Sequence, residues 1–122
     1  MPQRRVKVSD GIDAVRAVLA DSSKRVNSDP QFQMAVRYLA EELSVLRPGG
    51  SVELRVPPLV AVQCISGLEH RRGTPPNVIE LSPIDWFALA VGEVTWGSLY
   101  DSGKISASGT RAEIEDALPI WR

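Results

Sequence analysis

Residues 82–109 read SPIDWFALAVGEVTWGSLYDSGKISASG, and this stretch decides the fold. Ser82 is a good N-cap, Pro83 suits the first helical position, and Asp85 sets a carboxylate beside the orphan amides of the first turn. Ile84, Phe87 and Val91 keep helical spacing on one side and Trp86, Leu89 and Ala90 on another, which predicts a helix covered on both faces. Gly92 loosens its end. Thr95 caps a second short helix with Trp96, Leu99 and Tyr100 as its stripe, and Gly103 is the stop. Residues 104–108 alternate Lys, Ile, Ser, Ala, Ser, a strand pattern with Ile105 and Ala107 on the covered face. Residues 110–113 then have capping-box spacing and open a last short helix with Ile114, Ala117 and Leu118 on one face. Pro119 stops it, leaving Ile120 and Trp121 as an apolar tail.

Working back toward the N-terminus, Asp29-Pro30 is a second cap with a first-position proline. Phe32, Val36, Leu39, Leu43 and Leu46 follow it as a packing stripe, with Arg37, Glu41, Glu42 and Ser44 on the other faces. Pro48-Gly49-Gly50 turns the chain toward the sheet. Ser9 or Asp10 caps an earlier helix with Ile12, Val15, Val18 and Leu19 on one face, ending near residues 21–24. Residues 1–8 are a disordered start or a short added strand. Residues 51–56 alternate cleanly and predict a strand with one wet face. Pro57-Pro58 marks a bend or an edge, and residues 59–65, apolar but for Gln63, suit a strand covered on both faces. Residues 69–73 are a further short strand or its return loop, Thr74-Pro75-Pro76 is a stiff connector, and residues 77–81 return as a strand. No repeat or linker divides the chain, so a single α+β domain over 1–122 is expected, with N-terminal helices over 10–46 and the sheet and its covering helices over 51–121.

The chain has 122 residues, 43% hydrophobic and 24% charged, with a formal net charge of −1. That balance argues against a general nucleic-acid or anionic-membrane surface, which would carry a basic excess. Cys64 is the one cysteine, which removes intramolecular disulfides and cysteine-rich zinc sites and fits a reducing, cytoplasmic location. The basic N-terminus is not followed by an apolar run of signal-peptide length. No window approaches the roughly 18 apolar residues of a membrane span, so stable membrane insertion is not expected.

Candidate chemistry is sparse. His70 is the one histidine, so any mechanism or metal site using histidine must use it; its setting in Glu-His-Arg-Arg suits a solvated turn or edge strand. Cys64 on an apolar strand is a small core hydrophobe before it is a nucleophile. Glu41-Glu42 and Glu113, Glu115 and Asp116 look like exposed, solubilising sets rather than paired catalytic carboxylates. Arg71 and Arg72 beside Gly73 are either a bidentate anion contact, with His70, or edge-strand charge that refuses pairing. Nothing has the glycine spacing of a dinucleotide or phosphate loop. No catalytic residue, metal or cofactor is expected.

The order of strand, Ser-initiated helix with Trp, Gly, second helix and then SGKISASG resembles the C-terminal half of the sterol carrier protein type-two superfamily. Arg55-Val56-Pro57-Pro58, Ala61-Val62-Gln63 and the run from His70 through Asn77-Val78 are similar to the small stand-alone sterol carrier family of actinobacteria, over residues 30–121. The strand ends Gly109-Thr110 where the superfamily commonly has Gly-Asp. The resemblance implies an α+β fold, a curved, largely antiparallel five-stranded sheet with helices packed on one face, enclosing an apolar tunnel. By position, Phe87, Ala90, Val91, Trp96, Leu99, Leu118 and Trp121 would line it, with the last helix as its lid. The implied function is non-enzymatic binding and transfer of an apolar ligand, a fatty acyl lipid before a sterol-like molecule. The alternatives are a structural or interaction module without a cavity, homodimerising or binding a partner through an apolar patch at Ile120-Trp121, and an enzyme or accessory subunit using His70, Arg71 and Arg72 on an anionic substrate.

Overall fold

The computed structural model describes residues 4–67, 77–108 and 114–122. Two helices open the chain, α1 (Val8–Ala20) and α2 (Pro30–Leu46), joined through a 3-10 turn at Ser22–Lys24. The α2 start follows the sequence: the Asp29 carboxylate accepts the amides of Gln31 and Phe32 at 2.8 and 3.0 Å, with Pro30 in the first turn. The α1 start does not. Lys7 takes the N-cap position without a side-chain cap, and the helix begins at Val8, so Ser9 and Asp10, the expected caps, lie inside its first turn.

The buried face of α1 is Gly11, Ala14, Val15 and Val18, rotated from the expected stripe so that Leu19 is exposed. Gly11 causes the rotation. A Cβ there would lie 2.3 Å from the Tyr38 ring, so the missing side chain lets α2 press its tyrosine against the α1 backbone. On α2 the stripe Phe32, Val36, Leu39 and Leu43 is fully buried, whereas Leu46 is exposed.

The sheet comprises β1 (Val52–Val56), β2 (Val60–Cys64), β3 (Asn77–Glu80) and β4 (Ser106–Ser108), in the order β2-β1-β3-β4. Its outer pairs are antiparallel and its central pair, β1 with β3, is parallel. The described residues thus form a mixed four-stranded sheet, in which two of the three strand pairs have the expected antiparallel sense and the central one is parallel. The fifth expected strand, 69–73, lies outside the described residues. Alternation reports which face a side chain takes and says nothing about strand direction.

Register builds one transverse row on the helix side: Val62 opposite Leu54, Leu54 beside Ile79, Ile79 opposite Ala107. Leu54 and Ile79 are fully buried, Val62 is half-buried and Ala107 exposed, so cover is deepest over the centre and thins at both edges. The other face carries Glu53, Arg55, Gln63 and Glu80. On β2 Ala61 and Gln63 are exposed, so this strand is covered on one face, not both.

Beyond the sheet come α3 (Pro83–Ala90) and α4 (Trp96–Asp101). Ser82 caps α3 by accepting the Asp85 amide at 3.2 Å, and Thr95 with Ser98 forms a capping box on α4. Gly103 at φ +76° ends α4 in the left-handed region that a side chain would oppose. Trp86, Phe87, Leu89 and Ala90 are buried, while Ile84 is exposed, so α3 is sandwiched except along one edge. Its tie to α2 is polar as well as apolar, since Trp86 Nε1 donates to the Val36 carbonyl at 3.3 Å. The capping-box residues 110–113 lie outside the described residues. Ile114 is buried ahead of a 3-10 turn at Glu115–Ala117, and the tail 118–122 follows.

Candidate functional site

The edge of the helix layer at β2 is where the fold leaves space. Val60 and Val62 point to the helix side, opposite the buried Val56 and Leu54, yet remain half-buried. Between them and α2 runs a groove of about 680 Å³ with Pro48, Gly49 and Leu59 among its apolar walls and Gln63 at its polar margin. On the helix side the lining is Arg37, Glu41 and Ser44, at i, i+4 and i+7 on one face, and Arg5 from the N-terminal segment completes it.

Each polar side chain of that face has a distinct engagement. The Arg37 Nε–H donates to the Leu59 carbonyl at 3.1 Å, which fixes the guanidinium against the start of β2. Glu41 was expected at the surface and is 5% exposed instead, because its Oε1 accepts the backbone amides of Arg5 and Val6, each at 3.1 Å. Ser44 Oγ donates to the Glu41 carbonyl at 2.7 Å. Among the described residues, neither Arg5 nor Arg37 forms an ion pair, whereas Arg4, Arg25 and Arg55 are each paired with a glutamate.

A smaller hollow of about 370 Å³ lies at the β1–β2 turn, lined by Arg55, Pro57, Pro58 and Glu80 and sharing Leu59, Val60 and Ala61 with the groove. None of the seven residues expected to contact a ligand lines either hollow. Phe87 and Ala90 are fully buried, Leu99 is buried, and Val91, Trp96, Leu118 and Trp121 are half-buried. The structure does bring several of them together. The Ile120 and Trp121 amides both donate to the Ala90 carbonyl, at 2.8 and 3.0 Å, so the tail lies across the end of α3. Trp96 instead stacks on exposed Tyr100, with ring centroids 6.4 Å apart.

Phe87 is flanked from two sides. The Phe32 ring centroid is 5.9 Å away and the Arg25 guanidinium lies 4.8 Å over its face. Arg25 is held there by Glu93, whose carboxylate oxygens accept from its two terminal nitrogens at 2.6 and 2.8 Å. That hydrogen-bonded pairing lowers the Glu93 pKa and raises that of Arg25.

Cys64 is fully buried, and burial pushes its thiol up to about 12, which removes thiolate character at neutral pH. His70, Arg71 and Arg72 lie outside the described residues. Among the described residues no group of three or more His, Cys, Asp and Glu is placed to hold a metal ion, and no helix is long and apolar enough to cross a membrane.

Sequence reasoning missed the groove lining. The available signal was the polar repeat Arg37, Glu41, Ser44 down one face of an otherwise apolar helix, which fits a solvated face equally well.

No curated protein matches the chain. A family model described as bacterial SCP ortholog matches residues 28–120, a span that takes in α2, the four strands of the described sheet, α3, α4 and most of the tail. The sterol carrier resemblance and this match agree, and the chain belongs to the bacterial SCP ortholog family, which is sterol carrier protein-like.

Proposed function

We propose that this protein is a non-catalytic carrier that binds a chain-like apolar ligand in the groove between α2 and β2. The observation that carries the reading is the groove itself, about 680 Å³ bordered by helix-facing valines that are left half-buried. That volume falls in the range of small-molecule sites, about 300–1,000 Å³. Each methylene that leaves water for such a site gains about 0.8 kcal/mol, so an acyl chain needs no elaborate polar motif to bind at micromolar concentration.

A second location for the same ligand is the layer of Phe87, Ala90, Val91, Trp96, Leu99, Leu118 and Trp121. It is favoured by the tail's attachment to the end of α3 through two amides on one carbonyl, which sets Trp121 beside Ala90. Native mass spectrometry of delipidated protein exposed to a total lipid extract tests both. A stoichiometric lipid adduct lost in Val62→Trp and kept in Trp121→Ala assigns the groove; the reverse assigns the tail layer. No adduct, with a concentration-dependent dimer in its place, would overturn the carrier reading in favour of an interaction module.

A further inference from the structure

Resting on the carrier reading, we infer that the groove selects an anionic amphiphile and that Arg37 holds its head group, with the acyl chain along Leu59, Val60 and Val62. Four observations converge. Arg37 is half-buried on the groove wall, and its Nε–H is committed to the Leu59 carbonyl, which leaves its two terminal nitrogens in a fixed position. A guanidinium so oriented presents a two-pronged donor set that matches carboxylate or phosphate oxygens.

Arg37 also lacks the neutralising partner its position offers. Glu41 sits four residues on along α2, a spacing at which opposite charges ordinarily meet. Its carboxylate is drawn instead to the Arg5 and Val6 amides, and no ion pair forms with Arg37. The two amides offset the Glu41 charge, so it repels an incoming anion less than a free carboxylate would. Arg5 lines the same groove and is likewise without an ion pair among the described residues, so the lining carries two cations against one engaged carboxylate.

Finally, the cation borders an apolar wall. Arg37 touches the start of β2 through Leu59, and the half-buried Val60 and Val62 continue from that point along the strand. Head-group charge and acyl chain are therefore recognised by adjacent parts of one groove. A neutral sterol or alcohol would offer the guanidinium a hydroxyl oxygen but no opposite charge.

The test compares hexadecanoate, hexadecyl phosphate and hexadecanol by displacement of a fluorescent polyene fatty acid from the full chain. Wild type is expected to bind one or both anions at least about tenfold more tightly than the alcohol, the effect of one charge-assisted hydrogen bond. Arg37→Gln should lose that preference, and Arg37→Lys should keep part of it. A phosphate preferred over the carboxylate supports the site and identifies a lipid phosphate as the head group; the opposite order supports it with a free fatty acid.

Equal wild-type affinity for acid and alcohol overturns the inference without any variant, leaving the carrier reading intact. An acid preference that survives in folded Arg37→Gln overturns Arg37 as its source. Failure of all three probes to bind overturns the carrier reading itself.

Discussion

Replacing Glu93 by glutamine loosens the clamp that holds the connection between α1 and α2 against the turn after α3. Arg25 grips Glu93 with both terminal nitrogens at 2.6 and 2.8 Å while its guanidinium covers the Phe87 ring at 4.8 Å. The Arg25 side chain is 19% exposed and that of Glu93 41%, so water screens the carboxylate side of the pair. The two-pronged geometry places it in the upper part of the exposed-pair range, about 0.5–1 kcal/mol. The ring contact adds roughly 0.5–1 kcal/mol. Glu93→Gln therefore costs about 0.5–1 kcal/mol, and Arg25→Met, which removes both contacts, about 1–2 kcal/mol. The double variant should be little worse than Arg25→Met, giving a coupling of about 0.5–1 kcal/mol.

The pH dependence has a definite sign. The Arg25 pairing holds the Glu93 carboxyl below its ordinary value, so its stabilisation is present above the unfolded pKa, about 4.3, and is lost as pH falls through the lower folded value. Thermal unfolding of the four proteins from about pH 7 down to about pH 3.5 should show a wild-type advantage over Glu93→Gln of a few degrees. That advantage should be constant near neutrality and shrink below about pH 4.3. Zero coupling at neutral pH, or an advantage that grows on acidification, would refute the assignment.

Glu41→Ala leaves the Arg5 and Val6 amides without their acceptor and should cost about 1–3 kcal/mol. Hydrogen exchange at Val6 checks it, since unchanged protection would mean the segment is held by packing alone. Gly49→Ala would drive a Cβ to 2.2 Å from the Ile65 carbonyl oxygen at a φ of +149°, so a loss of about 3 kcal/mol or more is expected. A wild-type urea midpoint would contradict that approach. Asp29→Ala removes the acceptor for two amides at the start of α2 and should cost about 1 kcal/mol, with Asp29→Asn recovering most of it in the same urea titration. Cys64, buried with its thiol at about 12, should react with an aromatic disulfide reagent only as the protein unfolds. Immediate stoichiometric labelling in native buffer would place it at the surface.

Caps and periodicity made most elements legible. Asp29-Pro30 and Ser82-Pro83 act through amides two or three residues away, and the structure keeps both starts. Residues 51–56 and 59–65 each hold a strand within a residue of the expected bounds. Local chemistry failed where a distant neighbour intervened. Gly11 gave no apolar signal, yet its missing side chain admits Tyr38 and shifts the buried face of α1. Glu41 carried the signature of a solvated helix residue until amides 36 and 35 positions earlier were folded against it.

The sequence by itself determined where most of the helices and strands of the described residues fall, because those preferences reside in caps, side-chain periods and turn residues. It also carried the family resemblance, which the match over residues 28–120 bears out. Tertiary structure alone decided the parallel pairing of β1 with β3, the burial of Glu41, and the half-covered state of Val60 and Val62. A side chain's period states what it would bury and not whether another element arrives to bury it. The groove exists where α2 and the β2 edge stop short of full contact, and that distance belongs to the packed chain rather than to any one segment of it.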